Sequence, residues 1–274
     1  MAPVNTPQLV ASDVDGTLLD AHEQVTPRTR AAIDALRGGG VPFVLVTGRP
    51  PRWIAPVVDQ LGFAPLSVCA NGAVLYDPAT DEVLSAELLA VELLGQVAEV
   101  AERLLPGCGL AAERVGRSAH DSATPPFVAA SGYVHVWLNP DNTEVEDHLV
   151  IAEPAVKLLV RHPEMTSGAM AAALRPALEG LVDLTWSSDN GLVELAAFGV
   201  TKASGLAVVA RGLGVDAGRV VAFGDMPNDV PMLRWAGLGV AMGNAHPDAL
   251  AVADEVAPPH TEDGVAQVLE RWWP

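Results

Sequence analysis

The chain has 274 residues, half of them hydrophobic, a formal net charge of −18 and only two cysteines, Cys69 and Cys108. That is enough apolar material for one large or two modest domains. The acidity argues against sequence-independent nucleic-acid binding, which needs a basic surface, and against docking on anionic lipid. The cysteines form neither a disulfide framework nor a zinc spacing. No basic-then-apolar leader and no run of ~18 apolar residues is read, so a cytoplasmic protein without a membrane span is expected.

Residues 9–14 read as a buried strand that ends in Ser12-Asp13-Val14-Asp15-Gly16-Thr17-Leu18. In extended chain, residues two apart point to the same side, so Asp13 and Asp15 converge at the strand end. Two carboxylates at 4 Å repel by roughly 4 kcal/mol at an effective dielectric of 20. A shared proton, a divalent cation or both would offset that, although Asp-x-Asp-Gly is also sound turn chemistry. Thr26-Pro27 starts a helix that stops at Gly38-Gly39-Gly40. A strand over 41–46 runs into Thr47-Gly48-Arg49, a helix follows from Pro51 to Leu61, and a strand over 66–70 runs into Asn71-Gly72. Three strands separated by helices imply a parallel sheet. Their polar C-terminal ends are where open α/β sheets bind ligands.

The pattern changes after Tyr76. A turn-rich stretch (77–82) precedes a long helix over 87–105. Loops are expected at 106–109 and 123–126. Residues 129–138 alternate, with Tyr133, His135 and Trp137 on one face and Val134, Val136 and Leu138 on the other. A strand (155–160), a helix (164–178) and strands at 181–186 and 192–196 complete a separate α+β unit. Arg114, Arg117 and His120 form a cationic stretch expected in an exposed loop of that unit. The βα rhythm then returns: helix 201–211, strand 219–223 ending in Gly224-Asp225, helix 227–235, strand 238–241, and helices over 246–253 and 262–272. The chain is therefore read as one α/β core, residues 1–79 and 191–274, split by an inserted α+β domain over 80–190.

Four polar signals recur in order: Asp13-Val-Asp15-Gly-Thr17, Thr47-Gly-Arg49, Lys202 at a helix start, and Gly224-Asp225-Met-Pro-Asn228-Asp229. Each has a task in phosphoryl transfer from a monoester. A carboxylate can attack phosphorus. A second can protonate the leaving oxygen and later take a proton from water. A hydroxyl and an ammonium can hold the phosphoryl oxygens. A further carboxylate cluster can hold Mg2+.

In this order and spacing the signals resemble the four motifs of the haloacid dehalogenase-like (HAD) hydrolase superfamily. Cys69-Ala-Asn71-Gly72-Ala73 and the stretch from Trp235 to Ala245 resemble signatures of its Cof-type subgroup. The resemblance implies a Rossmann-like parallel-sheet core and a type IIB α+β cap. It implies Asp13 as nucleophile, Asp15 as acid/base, and Thr47 and Lys202 on the phosphate. Mg2+ would be held by Asp13, the Asp15 carbonyl and Asp225, with Asn228 and Asp229 completing or supporting that shell. Gly48, Arg49, Asn71, Gly72 and Asn228 are expected near the substrate, a small-molecule phosphate ester, with a structural role the alternative for Arg49 and holding the loop the alternative for Asn71. Ala203 and Pro227 depart from the family's usual pattern without removing a functional side chain. The expected activity is a Mg2+-dependent phosphatase working through an aspartyl-phosphate. A phosphotransferase or phosphomutase on the same scaffold, or a non-catalytic phosphometabolite-binding protein, are the alternatives.

Overall fold

The computed structural model describes residues 6–136 and 139–274. They form two compact units, one comprising the residues up to Asp81 with Thr201–Pro274, the other Glu82–Val200.

The first unit opens with β1 (Leu9–Ser12), α1 (Pro27–Gly38), β2 (Phe43–Val46), α2 (Ala55–Leu61), β3 (Ser67–Cys69) and β4 (Val74–Asp77). The Thr26 side chain caps α1 by accepting the Thr29 N–H at 3.1 Å, and Pro27 fills the first helical position. β1, β2 and β3 are wholly buried and apolar but for Ser12 and Ser67, as suits strands covered on both faces.

The second unit contains β5 (Glu82–Ala86), α3 (Val91–Leu104), β6 (Gly109–Glu113), β7 (Phe127–Ala130), β8 (Asn142–Val145), α4 (Asp147–Val150), β9 (Lys157–Arg161), α5 (Ser167–Leu178), β10 (Val182–Thr185) and β11 (Leu192–Ala197). Its six-stranded sheet has the order β10-β11-β9-β6-β7-β8, antiparallel except for β7 with β8. Register puts Ala111 opposite Leu159, Glu113 opposite Lys157, and Glu194 opposite Leu159. These side chains therefore share one face. Tyr133 packs there with Phe127, Ala129, Ala111, Leu159 and Leu192, and its ring stands edge-on to His135 at 5.0 Å. The same face carries a buried ion pair, Lys157 to Glu194 at 2.5 Å, with Ser187 Oγ donating to the other Glu194 oxygen at 3.0 Å.

The first unit resumes with α6 (Lys202–Gly212), β12 (Val220–Gly224), α7 (Val230–Trp235), β13 (Leu238–Ala241), α8 (Pro247–Leu250), β14 (Glu255–Val256) and α9 (Gly264–Leu269). Its strands run in the order β14-β13-β12-β1-β2-β3-β4, parallel up to β3, with β4 antiparallel. This is the expected α/β class with a parallel, Rossmann-like sheet. β1 lies at the centre: Ser12 is level with Phe223 on one side and Leu45 on the other. No helix among the described residues is long and apolar enough to cross a membrane.

Several expectations need correction. The sequence returns the chain to the first unit at residue 191, but β11 pairs with β9 and β10, and the return comes at Thr201. Gly109, read as the end of a loop, and residues 110–113, assigned to no element, form the interior strand β6. The alternation over 129–138 is not one strand: β7 ends at Ala130 and a turn follows at Ser131-Gly132. Trp137 and Leu138 lie outside the described residues. Arg114 is buried rather than exposed, and its Nη2 donates to the Leu149 carbonyl at 3.1 Å.

Candidate active site

The centre is assembled at the C-terminal ends of three adjacent parallel strands. Asp13 follows β1, Thr47 follows β2 and Asp225 follows β12. The Asp13 N–H donates to the Phe223 carbonyl at 2.9 Å, continuing the ladder by one residue. Lys202 arrives from α6, whose first turn is fixed by a reciprocal cap. Thr201 Oγ1 accepts the Ser204 N–H at 3.2 Å, and Ser204 Oγ accepts the Thr201 N–H at 2.9 Å. Gly72 allows this approach: its φ is +105°, and a Cβ there would run into the Thr201 main chain.

Lys202 is wholly buried between two carboxylates. Nζ lies 2.8 Å from Asp13 Oδ1 and donates to Asp229 Oδ1 at 2.7 Å. Burial alone would lower the ammonium pKa, but the Asp13 and Asp229 charges outweigh it and hold the pKa above its ordinary value. Asp229 is fully engaged. Its Oδ2 accepts the N–H groups of Asp225 at 3.0 Å and Met226 at 2.9 Å. Asp225 Oδ1 accepts the Thr17 hydroxyl at 3.0 Å.

Asp13, Asp225 and Asp229 each offer a carboxylate oxygen within 4.8 Å of the others, and all three are buried. Three carboxylates against one ammonium leave an excess of negative charge. Burial, followed by the charge of Asp229, raises the Asp13 pKa well above its ordinary range. The same causes push Asp225 up to about 7, against the Thr17 hydrogen bond. A divalent cation would relieve both penalties, and clustered carboxylate oxygens are the hard donors such an ion prefers. Asn228 adds an unpartnered oxygen. Its Nδ2 donates to Asn71 Oδ1 at 3.0 Å, while its buried Oδ1 has no hydrogen-bond partner. The residue set therefore fits a divalent metal.

The structure gathers Asp13, Lys202, Asp225 and Asp229 into one cluster, and joins Asn71 to Asn228. Gly48 lies beside this pair: a Cβ on it would sit 3.1 Å from Asn71 Oδ1. Thr47 is buried at the end of β2, with its Oγ1 accepting the Arg49 N–H at 3.0 Å. Arg49 and Asp15 form a separate pair of charges. Two contributors were named in the sequence only as parts of longer stretches and given no role of their own. Thr17 sits two residues past Asp15, and a hydroxyl at that position was available as a signal. Asn244 Nδ2 donates to the Gly16 carbonyl at 2.9 Å and so fastens the loop after β1. It lies in the stretch from Trp235 to Ala245, where only the resemblance marked it.

The model of the haloacid dehalogenase-like hydrolase family matches residues 10–269, nearly the whole chain. The chain belongs to this family. Its Cof-type character agrees with the relatives that align end to end. A 5-amino-6-(5-phospho-D-ribitylamino)uracil phosphatase of Bacillus subtilis is 28% identical over 272 residues, covering 97% of this chain and 98% of that protein. A pyridoxal phosphate phosphatase of Escherichia coli is 28% identical over 271 residues, covering 96% and 98%. A solved haloacid dehalogenase-like hydrolase from Bacteroides thetaiotaomicron is 26% identical with a TM-score of 0.72, covering 97% of this chain and 99% of that one. As a HAD hydrolase with phosphatases as relatives, the chain is a phosphoric monoester hydrolase.

Proposed function

We propose that this HAD hydrolase is a Mg2+-dependent phosphatase that cleaves small phosphomonoesters through an aspartyl-phosphate on Asp13. One observation carries the reading: a buried lysine bridges Asp13 and Asp229 while Asp225 stands within 4.8 Å of both. A site for binding alone has no need of a nucleophile beside a metal-competent cluster. The Asp13 and Asp225 carboxylates, with the Asp15 main chain, would hold Mg2+, which would neutralise charge between the anionic nucleophile and the anionic ester. The Asp229 charge belongs to the same centre, although both its oxygens are taken by Lys202 and main-chain N–H groups.

In the first step an Asp13 oxygen bonds to phosphorus and the ester P–O bond breaks. The leaving oxygen takes a proton from Asp15. In the second step Asp15 takes a proton from water, the water oxygen bonds to phosphorus, and the Asp13–phosphorus bond breaks, releasing inorganic phosphate. Lys202 and the Thr47 hydroxyl hold the phosphoryl oxygens where negative charge accumulates. The Asn71–Asn228 pair borders the substrate and Gly48 leaves it room, whereas Gly72 serves the approach of α6.

The substrates in the relatives' names, a ribitylaminouracil phosphate and pyridoxal phosphate, point to phosphorylated cofactors and their precursors; sugar phosphates are the neighbouring class. The low cysteine content, Cys69 and Cys108 alone, and the net charge of −18 suit a cytoplasmic enzyme with small-molecule rather than nucleic-acid substrates. The reading is tested by release of inorganic phosphate from an aryl phosphate with and without Mg2+, in the wild type and in Asp13→Asn. We expect metal-dependent release that the substitution abolishes. Activity near wild type in Asp13→Asn would refute the covalent route, and transfer of phosphate to an added sugar without net release would make the chain a phosphotransferase.

A further inference from the structure

Asp15 stands apart from the rest of the centre. Its side chain is 57% exposed, whereas Asp13, Asp225 and Asp229 are buried. An exposed carboxylate on a loop samples several rotamers unless a partner restrains it. Here Arg49 is that partner. Its Nε donates to Asp15 Oδ2 at 2.9 Å and its Nη2 to Oδ1 at 2.5 Å. This two-point fork fixes the plane of a carboxylate as well as its place.

Arg49 is fastened on its remaining sides. Its N–H donates to Thr47 Oγ1 at 3.0 Å, its carbonyl accepts the Ala70 N–H at 2.9 Å, and Nη1 donates to the Trp53 carbonyl at 3.4 Å. The side chain is only 18% exposed. The residue is tied to the ends of β2 and β3, and the guanidinium edge that would grip a phosphate is occupied by Asp15. Sequence alone leaves Arg49 open between a substrate contact and a structural role. The geometry instead gives it a protein partner.

We propose that Arg49 is a positioning residue that acts through Asp15, aiming that carboxylate at the leaving oxygen, and not a ligand of the phosphoryl group. The proposal rests on the reading of Asp13 and Asp15 given above. It has a chemical signature. An alkoxide leaving group needs a proton as the P–O bond breaks, whereas a nitrophenolate leaves without one. Mis-aiming Asp15 therefore slows formation of the aspartyl-phosphate from alkyl esters and spares aryl esters. The parameter that isolates this step is kcat/KM.

The test measures kcat/KM for 4-nitrophenyl phosphate and for a small alkyl phosphate at saturating Mg2+, with the competitive Ki of inorganic phosphate. The proteins are wild type, Arg49→Gln, Arg49→Lys, Asp15→Asn and the double variant Asp15→Asn/Arg49→Gln. Arg49→Gln is expected to lower the alkyl value about 10²-fold and the aryl value less than about 5-fold. The phosphate Ki should stay within about 3-fold, since no phosphate contact is removed. Arg49→Lys should recover part of the alkyl activity, because an ammonium can still hold one Asp15 oxygen. In the Asp15→Asn background, Arg49→Gln should have no further effect on the alkyl ester. Equal losses on both esters with a raised phosphate Ki would overturn the proposal and place Arg49 on the phosphoryl group. A further loss in the Asp15→Asn background would also overturn it. A wild type that releases phosphate from neither ester would overturn the enzymatic reading itself. Wild-type activity with uniform losses would overturn only the role of Arg49.

Discussion

Lys202→Met probes the centre most directly, because it removes the one cation between two buried carboxylates and nearly preserves volume. Each contact, at 2.7 and 2.8 Å, corresponds to roughly 6 kcal/mol of attraction at an effective dielectric of about 20. Desolvating the charges offsets much of that, so the measurable cost is that of stranding buried charge, about 3–5 kcal/mol. For a unit of this size the loss should lower Tm by about 6–20 °C. The penalty carries a pH signature. Without the ammonium, Asp13 faces the Asp229 charge uncompensated, and burial together with that charge favours the protonated form of Asp13 in the folded state still more. A carboxyl whose folded pKa lies above its unfolded pKa contributes stability that is lost as pH rises through the folded value. The variant should therefore fall further behind the wild type at pH 8 than at pH 5. Calorimetry of EDTA-treated wild type and Lys202→Met at the two pH values provides the assay. A variant that melts within about 2 °C of wild type at pH 8 would refute the view that this lysine neutralises the centre.

Metal removal should reveal Asp225. With its folded pKa near 7 and its unfolded value at 3.8, the metal-free protein binds the extra proton only when folded. Its stability should then decline by about 2–3 kcal/mol between pH 5 and pH 7. Saturating Mg2+ should flatten that slope, and urea titrations with EDTA or Mg2+ would read it. Gly72→Ala places a Cβ against the Thr201 main chain at a φ of +105°. It should cost about 3 kcal/mol or more and lower kcat by displacing Lys202, as a melting curve and a steady-state assay would report.

The first unit was legible because its parallel strands are covered on both faces. β1, β2 and β12 read as largely apolar runs, and each of the three stops next to a residue that carries chemistry. The Asp13, Thr47 and Asp225 positions are strand ends in the sequence for the same reason that they are strand ends in space. The second unit read poorly for an equally physical reason. β8, Asn-Thr-Glu-Val, is a partly exposed edge strand with no apolar alternation to betray it. The alternating stretch after Ala129 imitates a strand, yet Tyr133 owes its burial to packing on the sheet face, beyond a turn. Pairings such as Thr17 with Asp225, 208 residues apart, leave no local trace. Nor does the Arg49–Asp15 fork. A cation three residues after a strand end looks the same in sequence whether it will grip substrate or a neighbouring carboxylate.

The three hydrogen bonds that Asp229 accepts have a consequence for speed. In water, dipoles must turn toward a newly formed charge, and that turning is part of the barrier. Here the N–H groups of residues 225 and 226 fix Asp229, and Asp229 in turn holds the Lys202 ammonium against Asp13, so that its direction is set before any ester arrives. Folding has already done the work of alignment, so the barrier to reaction need not include it.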